Sequence, residues 1–193
     1  KYRTVGLAAD LMQSMGLKVT QLPGGEIVPA LERGVIEAFE FNNPTSDKSF
    51  GAQDVSKIYM MGSYHQAAEF FEIIFNKTKY KALPKEHQAI LKHAAAAASS
   101  TNFWTAMDRY SNDLLWLRDK AGVKVYRTPQ GVMNAQLKAW DKMITKLEGE
   151  DPFFKKVLKS QKEFAHRSAY YILLNQCDYK LAFDHYFPGE LGF

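Results

Sequence analysis

Hydrophobic positions in the first forty residues alternate between the spacing of strands and the spacing of helices. Runs rich in β-branched and aromatic residues predict strands over residues 1–5, 17–22 and 35–41. Helical spacing between them predicts helices over residues 7–15 and 27–31, each followed by a glycine that can end it, Gly16 and Gly34. This alternation favours a mainly parallel sheet with helices packed on its faces.

One much longer helix is predicted from residue 84 to about residue 120. Its apolar residues recur at intervals of four, three, four and three, namely at Phe103, Met107, Tyr110, Leu114 and Leu117. Such a helix would be about 55 Å long, whereas a compact globule of this size is only about 42 Å across. The helix therefore either kinks at residues 99–101 or spans two lobes, and we favour the second interpretation.

The remaining segments give weaker patterns. Strands are predicted over residues 55–61 and 72–76, with a further short strand after Gly122. Two more helices are predicted over residues 129–146 and from Asp151-Pro152 to about residue 166, where the aspartate and proline form a cap and first-turn signal. Residues 170–193 are rich in aromatics, and we expect them to pack on the body of the protein or on a partner chain.

Composition narrows the class of protein. The chain has 193 residues, of which 46% are hydrophobic, and no apolar run approaches the length of a membrane span. Twenty-five basic against 21 acidic residues give a net charge of +4, and the charges are scattered, so we expect no nucleic-acid partner. Cys177 is the single cysteine, which excludes an internal disulfide. Because residues 1–4 look like the interior of a strand and carry no signal peptide, we expect the chain to begin inside a larger protein.

Candidate chemistry lies at the predicted carboxyl ends of the strands, where ligands bind in open α/β sheets. A guanidinium such as that of Arg3 can hold a carboxylate through two parallel hydrogen bonds, although Arg3 could also be an ordinary surface residue. Glu40 could bind a cation or accept a hydrogen bond, or could simply be solvated. Phe41 could form an apolar wall of a pocket or belong to the core.

A second polar group is formed by Tyr64, His65 and Gln66. His65 could act as a donor or a base, although a single histidine usually does neither. None of the common nucleotide-binding, hydrolase or zinc-peptidase motifs occurs in the sequence, and His87 and His93 would lie on different faces of the long helix. These observations argue against an enzyme.

Two motifs carry a resemblance to a known family. They are Lys-Tyr-Arg-Thr-Val-Gly-Leu-Ala-Ala-Asp at residues 1–10 and Gly-Gly-Glu-Ile-Val-Pro-Ala-Leu-Glu-Arg-Gly-Val-Ile-Glu-Ala at residues 24–38. Asn76-Lys77 before Leu83-Pro84 and the long helix supports them. On these residues the chain resembles the extracytoplasmic solute-binding subunits (DctP type) of tripartite ATP-independent periplasmic (TRAP) transporters, over nearly its whole length.

The resemblance implies a fold and its division. The expected fold is α/β, two-lobed and like that of periplasmic binding proteins, with one long helix spanning both lobes and the N-terminal part of the family missing. Residues 1–41 would belong to the second ligand-binding lobe and residues 42–83 to hinge crossings and strands. Residues 84–121 would form the inter-lobe helix, and residues 122–193 a strand and C-terminal helices packing on the lobes.

The resemblance also implies roles for the candidate residues. Arg3 looks like the arginine that clamps the ligand carboxylate, and Glu40 with Phe41 looks like the strand-end pair, followed by Asn42. In the 2-oxo acid or monocarboxylate branch this pair is typically Glu-Trp and helps to hold a metal ion that bridges to the ligand. A bridging Na⁺ or Ca²⁺ is therefore expected at Glu40, Phe41 and Gln66. Two departures from the family pattern are Phe41 in place of tryptophan and Val5 in place of proline.

Tyr64, His65 and Gln66 fall near a further ligand contact of the family, where a glutamate is common. The function implied is that of a periplasmic receptor that binds a small organic acid, delivers it to membrane permease subunits of a TRAP transporter and catalyses no reaction. A homodimer through the C-terminal helices is also expected. Two alternatives remain: a ligand-sensing domain of a signalling receptor, or an enzyme that uses Glu40 and His65 on a small carboxylic acid.

Overall fold

The computed structural model describes residues 1–65 and 72–192. Its internal contacts divide the chain into two compact units, Lys1–Met133 and Asn134–Phe193. None of the helices in these described stretches has the length and apolarity that a membrane span requires.

The first unit contains most of the regular structure. Its elements are β1 (Tyr2–Arg3), α1 (Leu7–Ser14), β2 (Val19–Thr20), a 3₁₀ turn (Gly24–Glu26), α2 (Ile27–Glu32), β3 (Ala38–Phe39), α3 (Pro44–Ser49), α4 (Ala52–Val55), β4 (Ile58–Met61), α5 (Lys77–Ala82), α6 (Lys85–Asp119) and β5 (Lys124–Arg127). Helix α7 (Gln130–Glu150) begins in the first unit and continues into the second, which also contains α8 (Pro152–Asn175) and α9 (Tyr179–Tyr186).

The first three strands form the predicted parallel sheet, in the order β2-β1-β3. Tyr2 is paired with Val19 on one side and with Ala38 on the other. Helices α1 and α2 provide the crossovers that parallel strands require, and the chain leaves them through Gly16 (φ 92°) and Gly34 (φ 68°) in a backbone conformation that favours glycine. The strand–helix alternation is confirmed, although each of these strands is only two residues long.

A small core packs around α2, next to this sheet. Ile27, Ala30 and Ile36 are buried, and Leu22, Phe39, Phe41 and Phe50 pack against them. The core thus ties α2 to residues that follow β2 and β3. A separate two-stranded parallel sheet pairs β4 with β5, with Ile58 opposite Lys124.

The long helix is confirmed as α6, which has 35 residues. It is not interrupted at residues 99–101, the alternative position for a kink. Ser99 and Ser100 instead donate their hydroxyl hydrogen bonds to the carbonyls of Ala95 and Ala96, one turn back. That this helix spans two lobes remains a prediction.

A charged cluster attaches α6 to α3. The Asp113 carboxylate accepts hydrogen bonds of 2.7 Å from Lys48 Nζ and 2.7 Å from Thr45 Oγ1. Lys48 Nζ also lies 4.4 Å from the centroid of the Trp116 ring, within the range of a cation–π contact. One turn away, Leu117 is only 2% exposed, so α6 is fixed to α3 near its C-terminal end.

Several predicted elements differ from the structure. Residues 72–76 are not a strand; Ile73 and Ile74 are 62% and 83% exposed, and within the described residues no strand pairs with them. A segment without a neighbouring strand lacks the backbone hydrogen bonds that hold a strand in a sheet. Helices α3 and α4 were not predicted, because each is only four to six residues long.

Helix α8 was also predicted too short. Asp151 caps α8 as expected, since its Oδ1 accepts hydrogen bonds from the amides of Phe153 and Phe154. The helix then continues to Asn175 instead of ending near residue 166, because no glycine or proline lies between Pro152 and Asn175. Side chains of the aromatic segment, including Tyr170 and Tyr179, are mostly exposed. Packing of this segment on the lobes or on a partner chain remains a prediction.

The attachment of α6 gives a testable prediction. Hydrogen bonds from Lys48 and then Thr45 lower the pKa of Asp113. Replacing Asp113 with alanine should reduce the free energy of unfolding by about 1–2 kcal/mol, because two charge-assisted bonds in a partly solvated site are lost. Since the folded-state pKa is depressed, this stabilisation should be complete above about pH 4 and disappear as the pH falls through the folded-state value.

Denaturant melts of the wild type and Asp113→Ala at several pH values would measure this effect. Asp108→Ala, on an exposed position of the same helix, is the matched control and should change the unfolding free energy by less than about 0.5 kcal/mol. Equal losses for the two variants would contradict the attachment of α6 through Asp113.

Candidate functional site

The carboxyl edge of the three-stranded sheet brings three of the predicted residues together. Arg3 is the last residue of β1, and Glu40 and Phe41 directly follow β3. The Glu40 amide donates a hydrogen bond of 3.1 Å to the Arg3 carbonyl, which continues the strand pairing by one residue. Parallel strands end at the same edge of a sheet, and the side chains of Arg3 and Glu40 therefore meet there.

The Arg3 guanidinium is fixed by hydrogen bonds to segments on both sides of its strand. Arg3 Nε donates to the Leu22 carbonyl, after β2, at 2.8 Å. Arg3 Nη1 donates to the Glu40 carbonyl at 2.7 Å and to Glu40 Oε1 at 3.0 Å. Three hydrogen bonds thus fix the position of the guanidinium at the sheet edge.

This arrangement corrects the interpretation of Arg3 as a surface residue. The side chains of Arg3 and Glu40 are only 6% and 11% exposed, so the pair is a nearly buried salt bridge. In the described residues, 1–65 and 72–192, the Arg3 Nη2 group makes no hydrogen bond. It is the part of the planar fork that remains to bind a further oxygen atom.

The pKa of the Tyr2 phenol reflects the burial and the charges at this edge. Burial raises the pKa of the Tyr2 phenol above its usual range, and the negative charge of Glu40 raises this pKa further, while Arg3 opposes the effect. Tyr2 therefore stays protonated at physiological pH. The positive charge of Arg3 is already matched by Glu40, so an anion that binds here meets a nearly neutral pair.

Phe41 provides an apolar surface beside the charged pair. Its ring centroid lies 5.9 Å from Arg3 Cζ, within cation–π range. The ring also packs edge-on against Phe50, with centroids 4.9 Å apart and an angle of 89° between the ring planes. Phe41 is thus partly core and partly site, which combines the two alternatives considered for it from the sequence.

The neighbouring asparagines have different environments. Asn42 is exposed, and its contact with a ligand remains a prediction. Asn43 caps α3, because its side-chain oxygen accepts a hydrogen bond of 3.0 Å from the Ser46 amide. The cap fixes the direction in which the chain leaves the sheet edge.

The second polar group lies after β4. Tyr64 is 52% exposed, and His65 Nδ1 is hydrogen-bonded to the Ser63 hydroxyl. Burial lowers the pKa of His65, so its imidazole is neutral at physiological pH. The predicted residue Gln66 lies outside the described residues. Participation of this group in the same site as Arg3 remains a prediction.

Two contributions to the edge were missed from the sequence. The Leu22 carbonyl accepts a hydrogen bond from Arg3, and Gly24 lies directly against the Phe41 ring. Neither leaves a local signal, because a carbonyl acceptor is present at every residue and the close contact depends on the tertiary fold. The conspicuous Pro23-Gly24-Gly25 sequence indicated only a break between elements.

Another concave surface in the first unit has a different chemistry. A groove of about 430 Å³ is lined by Ile73, Phe75, Lys77, Tyr80, Leu91, Lys92 and Ala95. Its charged groups are two lysine ammonium ions on flexible stems, which bind a carboxylate with less directional preference than a fixed guanidinium. The edge at Arg3 is therefore the better candidate for recognition of a small acid.

Comparison with known proteins places these features in a family. The model of the bacterial extracellular solute-binding proteins, family 7 (DctP), matches residues 1–150. A monocarboxylate 2-oxoacid-binding periplasmic protein of Nostoc sp. is 28% identical over 180 residues, which cover 93% of this chain and 49% of the relative.

Two solved structures extend the comparison. A TRAP periplasmic solute-binding protein from Colwellia psychrerythraea, with bound calcium and pyruvate, is 29% identical, with a TM-score of 0.81 over 89% of this chain and 53% of its own. A TRAP transporter solute-binding protein from Bordetella bronchiseptica, a dimer with calcium and picolinate, is 26% identical, with a TM-score of 0.80 over 96% of this chain and 54% of its own. The expected α/β fold of TRAP periplasmic binding proteins is confirmed, and the chain spans about half the length of these relatives.

Proposed function

The chain belongs to the bacterial extracellular solute-binding proteins, family 7, and we propose that it is part of a periplasmic receptor for a small organic acid. The receptor delivers the acid to the membrane permease subunits of a TRAP transporter and does not catalyse a reaction. The proposal concerns the whole protein, because the relatives are about twice as long as this chain.

The fixed guanidinium of Arg3 is the observation that carries this proposal. Three hydrogen bonds hold it at the carboxyl edge of the sheet, and its Nη2 group is left for a ligand carboxylate. A group that is ordered before binding costs little entropy when the ligand arrives, which favours tight binding of a small molecule. The neutral His65, whose pKa is lowered by burial, is also compatible with a role in hydrogen bonding to the ligand.

A monocarboxylate, in particular a 2-oxo acid, is the ligand class that we propose. The Nostoc relative is described as binding monocarboxylate 2-oxoacids, and the Colwellia structure contains pyruvate. The edge offers the donor pattern such a ligand needs: a charged donor for the carboxylate and the apolar Phe41 ring beside it. A short acid could contact both groups, the donor through its carboxylate and the ring through its apolar carbon atoms.

A bridging cation is part of the proposal. Glu40 already neutralises Arg3, so a bound monocarboxylate adds an uncompensated negative charge to a nearly buried site. The oxygen atoms of Glu40 and the backbone suit a hard cation such as Ca²⁺ or Na⁺, and calcium accompanies the acid in the Colwellia and Bordetella structures. Within residues 1–65 and 72–192 no cluster of three or more acidic, histidine or cysteine ligands occurs. The cation would therefore be held by Glu40, the Phe41 carbonyl and Gln66 together with the ligand, and it would supply the missing positive charge.

We also propose a homodimer through the C-terminal helices. Exposed apolar side chains are concentrated on α8 and α9, including Phe164, Tyr170, Tyr171, Leu173, Leu174, Tyr179 and Leu181. An apolar surface of this extent usually marks an interface. A second copy is the proposed occupant, because the Bordetella relative, which covers nearly all of this chain, is described as a dimer.

Arg3→Lys tests the carboxylate contact. The variant keeps the charge, but an ammonium group cannot bond Leu22, Glu40 and the ligand in the planar geometry of the guanidinium. We therefore expect a loss of about 2–5 kcal/mol in pyruvate binding, which corresponds to a decrease on the order of 30- to several-thousand-fold in affinity. Calorimetric titration of the whole protein with pyruvate and other short 2-oxo acids would measure it. Melting curves would show that the variant is folded.

Arg33→Lys is the matched control for this substitution. Arg33 is exposed, and its side chain donates a hydrogen bond to the Pro29 carbonyl of α2. Its replacement should leave affinity within about twofold, because exposed contacts of this kind contribute little. Equal affinities of folded Arg3→Lys and wild type would eliminate Arg3 as the carboxylate clamp.

The cation is tested by titrating pyruvate into chelator-treated protein, with and without added Ca²⁺ or Na⁺. We expect the affinity for pyruvate to rise when the preferred cation is present. Glu40→Gln should reduce that rise, because the substitution removes the negative charge that would hold the cation. Glu37→Gln, an exposed position on the same strand segment, should behave like wild type. Superimposable isotherms with and without cations would rule out the bridging ion.

The dimer is tested by sedimentation of the whole protein. We expect wild type to be dimeric at micromolar concentration and Leu173→Glu to be monomeric, since the substitution places a charge in the apolar interface. Lys159→Glu, which changes an exposed charged residue earlier on the same helix, is the control and should remain dimeric. A monomeric wild type, or a dimer unaffected by Leu173→Glu, would contradict this interface.

A further inference from the structure

Gly24 makes an unusually close approach to the Phe41 ring. A Cβ atom built on Gly24 would lie 2.7 Å from Phe41 Cε2 and 3.1 Å from Cζ. Real Cβ atoms essentially never approach another heavy atom to less than 3.0 Å. Any residue other than glycine at position 24 therefore requires the Phe41 ring to move.

The glycine at position 24 is explained by space and not by backbone conformation. Gly24 is not among the glycines with positive φ, so an alanine could adopt its backbone conformation. Gly25, the next residue of the same 3₁₀ turn, also lacks a positive φ and has nothing within 4 Å of its built Cβ. The two adjacent glycines thus differ in their relation to Phe41.

The Phe41 ring has restricted directions in which to move. On one side Phe50 packs edge-on against it at 4.9 Å, and Phe50 itself packs on the buried Ile27, Ala30 and Ile36. On another side lies the Arg3 guanidinium, at 5.9 Å from the ring centroid, with its Nη2 group open to a ligand. Because close-packed cores resist displacement, a methyl group at position 24 would drive the ring toward the space beside Arg3.

We propose that Gly24 is a positioning residue that sets the size of the acid accepted at Arg3, because the missing side chain leaves room for the Phe41 ring to pack against the 3₁₀ turn. This inference rests on the proposed function, since it assumes that the ligand occupies the space beside Arg3 and the Phe41 ring. The chemical class that Gly24 favours is a monocarboxylate with a side chain longer than that of pyruvate. Substitution of Gly24 should narrow the site and favour the shortest acids.

The test compares the affinities of the whole protein for pyruvate and for 4-methyl-2-oxopentanoate. In Gly24→Ala the ratio of the two affinities should shift by at least about tenfold toward pyruvate, because the longer acid has more apolar carbon atoms and even one methylene group excluded from an apolar pocket changes affinity about 10–200-fold. The double variant Gly24→Ala/Phe41→Leu should restore the wild-type ratio to within about threefold, since the smaller side chain removes the collision. Gly25→Ala is the matched control and should leave the ratio unchanged.

Thermal melts of the same four proteins give a readout that does not depend on a ligand. The loss of stability in Gly24→Ala should be partly reversed by Phe41→Leu, which a double-mutant cycle measures as a coupling between the positions.

If this coupling is present but no acid binds to wild type, the proposed function is wrong and the packing is right. If acids bind and Gly24→Ala leaves their affinity ratio at the wild-type value, Gly24 does not control ligand size and the inference is overturned. Should Gly24→Ala fail to fold, Phe41→Leu alone must shift the ratio toward the longer acid, and an unchanged ratio would overturn the inference equally.

Discussion

The Arg3 guanidinium bonds to chain segments on both sides of the central strand, and the geometry of the candidate site depends on these contacts. The Leu22 carbonyl follows β2, and Glu40 follows β3, so the three ends are joined through one side chain. The pair is nearly buried, which makes removal of either partner costly. Within the described residues, Nη2 makes no hydrogen bond. Structure and recognition are therefore coupled at Arg3, and substitution experiments must separate folding from binding.

The residues around that guanidinium have different roles: Glu40 balances its charge, and Phe41 packs beside it. Glu40 fixes Arg3 but also cancels its charge, so electrostatic attraction alone cannot provide the affinity for an anion, and a cation or directional hydrogen bonds must contribute. The apolar side of the site is built from core residues, because Phe41 packs through Phe50 on Ile27, Ala30 and Ile36. Ligand size can therefore be controlled from the turn at Gly24, without any change in the charged pair.

Residues with a strong local signal were predicted well from the sequence. Gly16 and Gly34 end helices at positive φ, Asp151 caps α8, and the four–three spacing of apolar residues predicted α6 within one or two residues at each end. Contacts between distant segments could not be read in this way. The exposed residues 72–76 have the composition of a strand but no partner in the described part of the chain. Arg3, Glu40 and Phe41 were each predicted as candidate site residues, but neither the direct pairing of Arg3 with Glu40 nor the contact between Gly24 and Phe41 could be read from the sequence.

The central claim is that Arg3 Nη2 holds the ligand carboxylate while Nε and Nη1 keep their bonds to Leu22 and Glu40. A crystal structure of the whole protein with bound pyruvate tests this most directly. The account predicts a carboxylate oxygen at hydrogen-bond distance, about 3 Å, from Nη2, with the two anchoring contacts retained and the Phe41 ring against the ligand. Pyruvate bound away from Arg3, or a guanidinium that leaves Leu22 and Glu40 to reach it, would contradict the account.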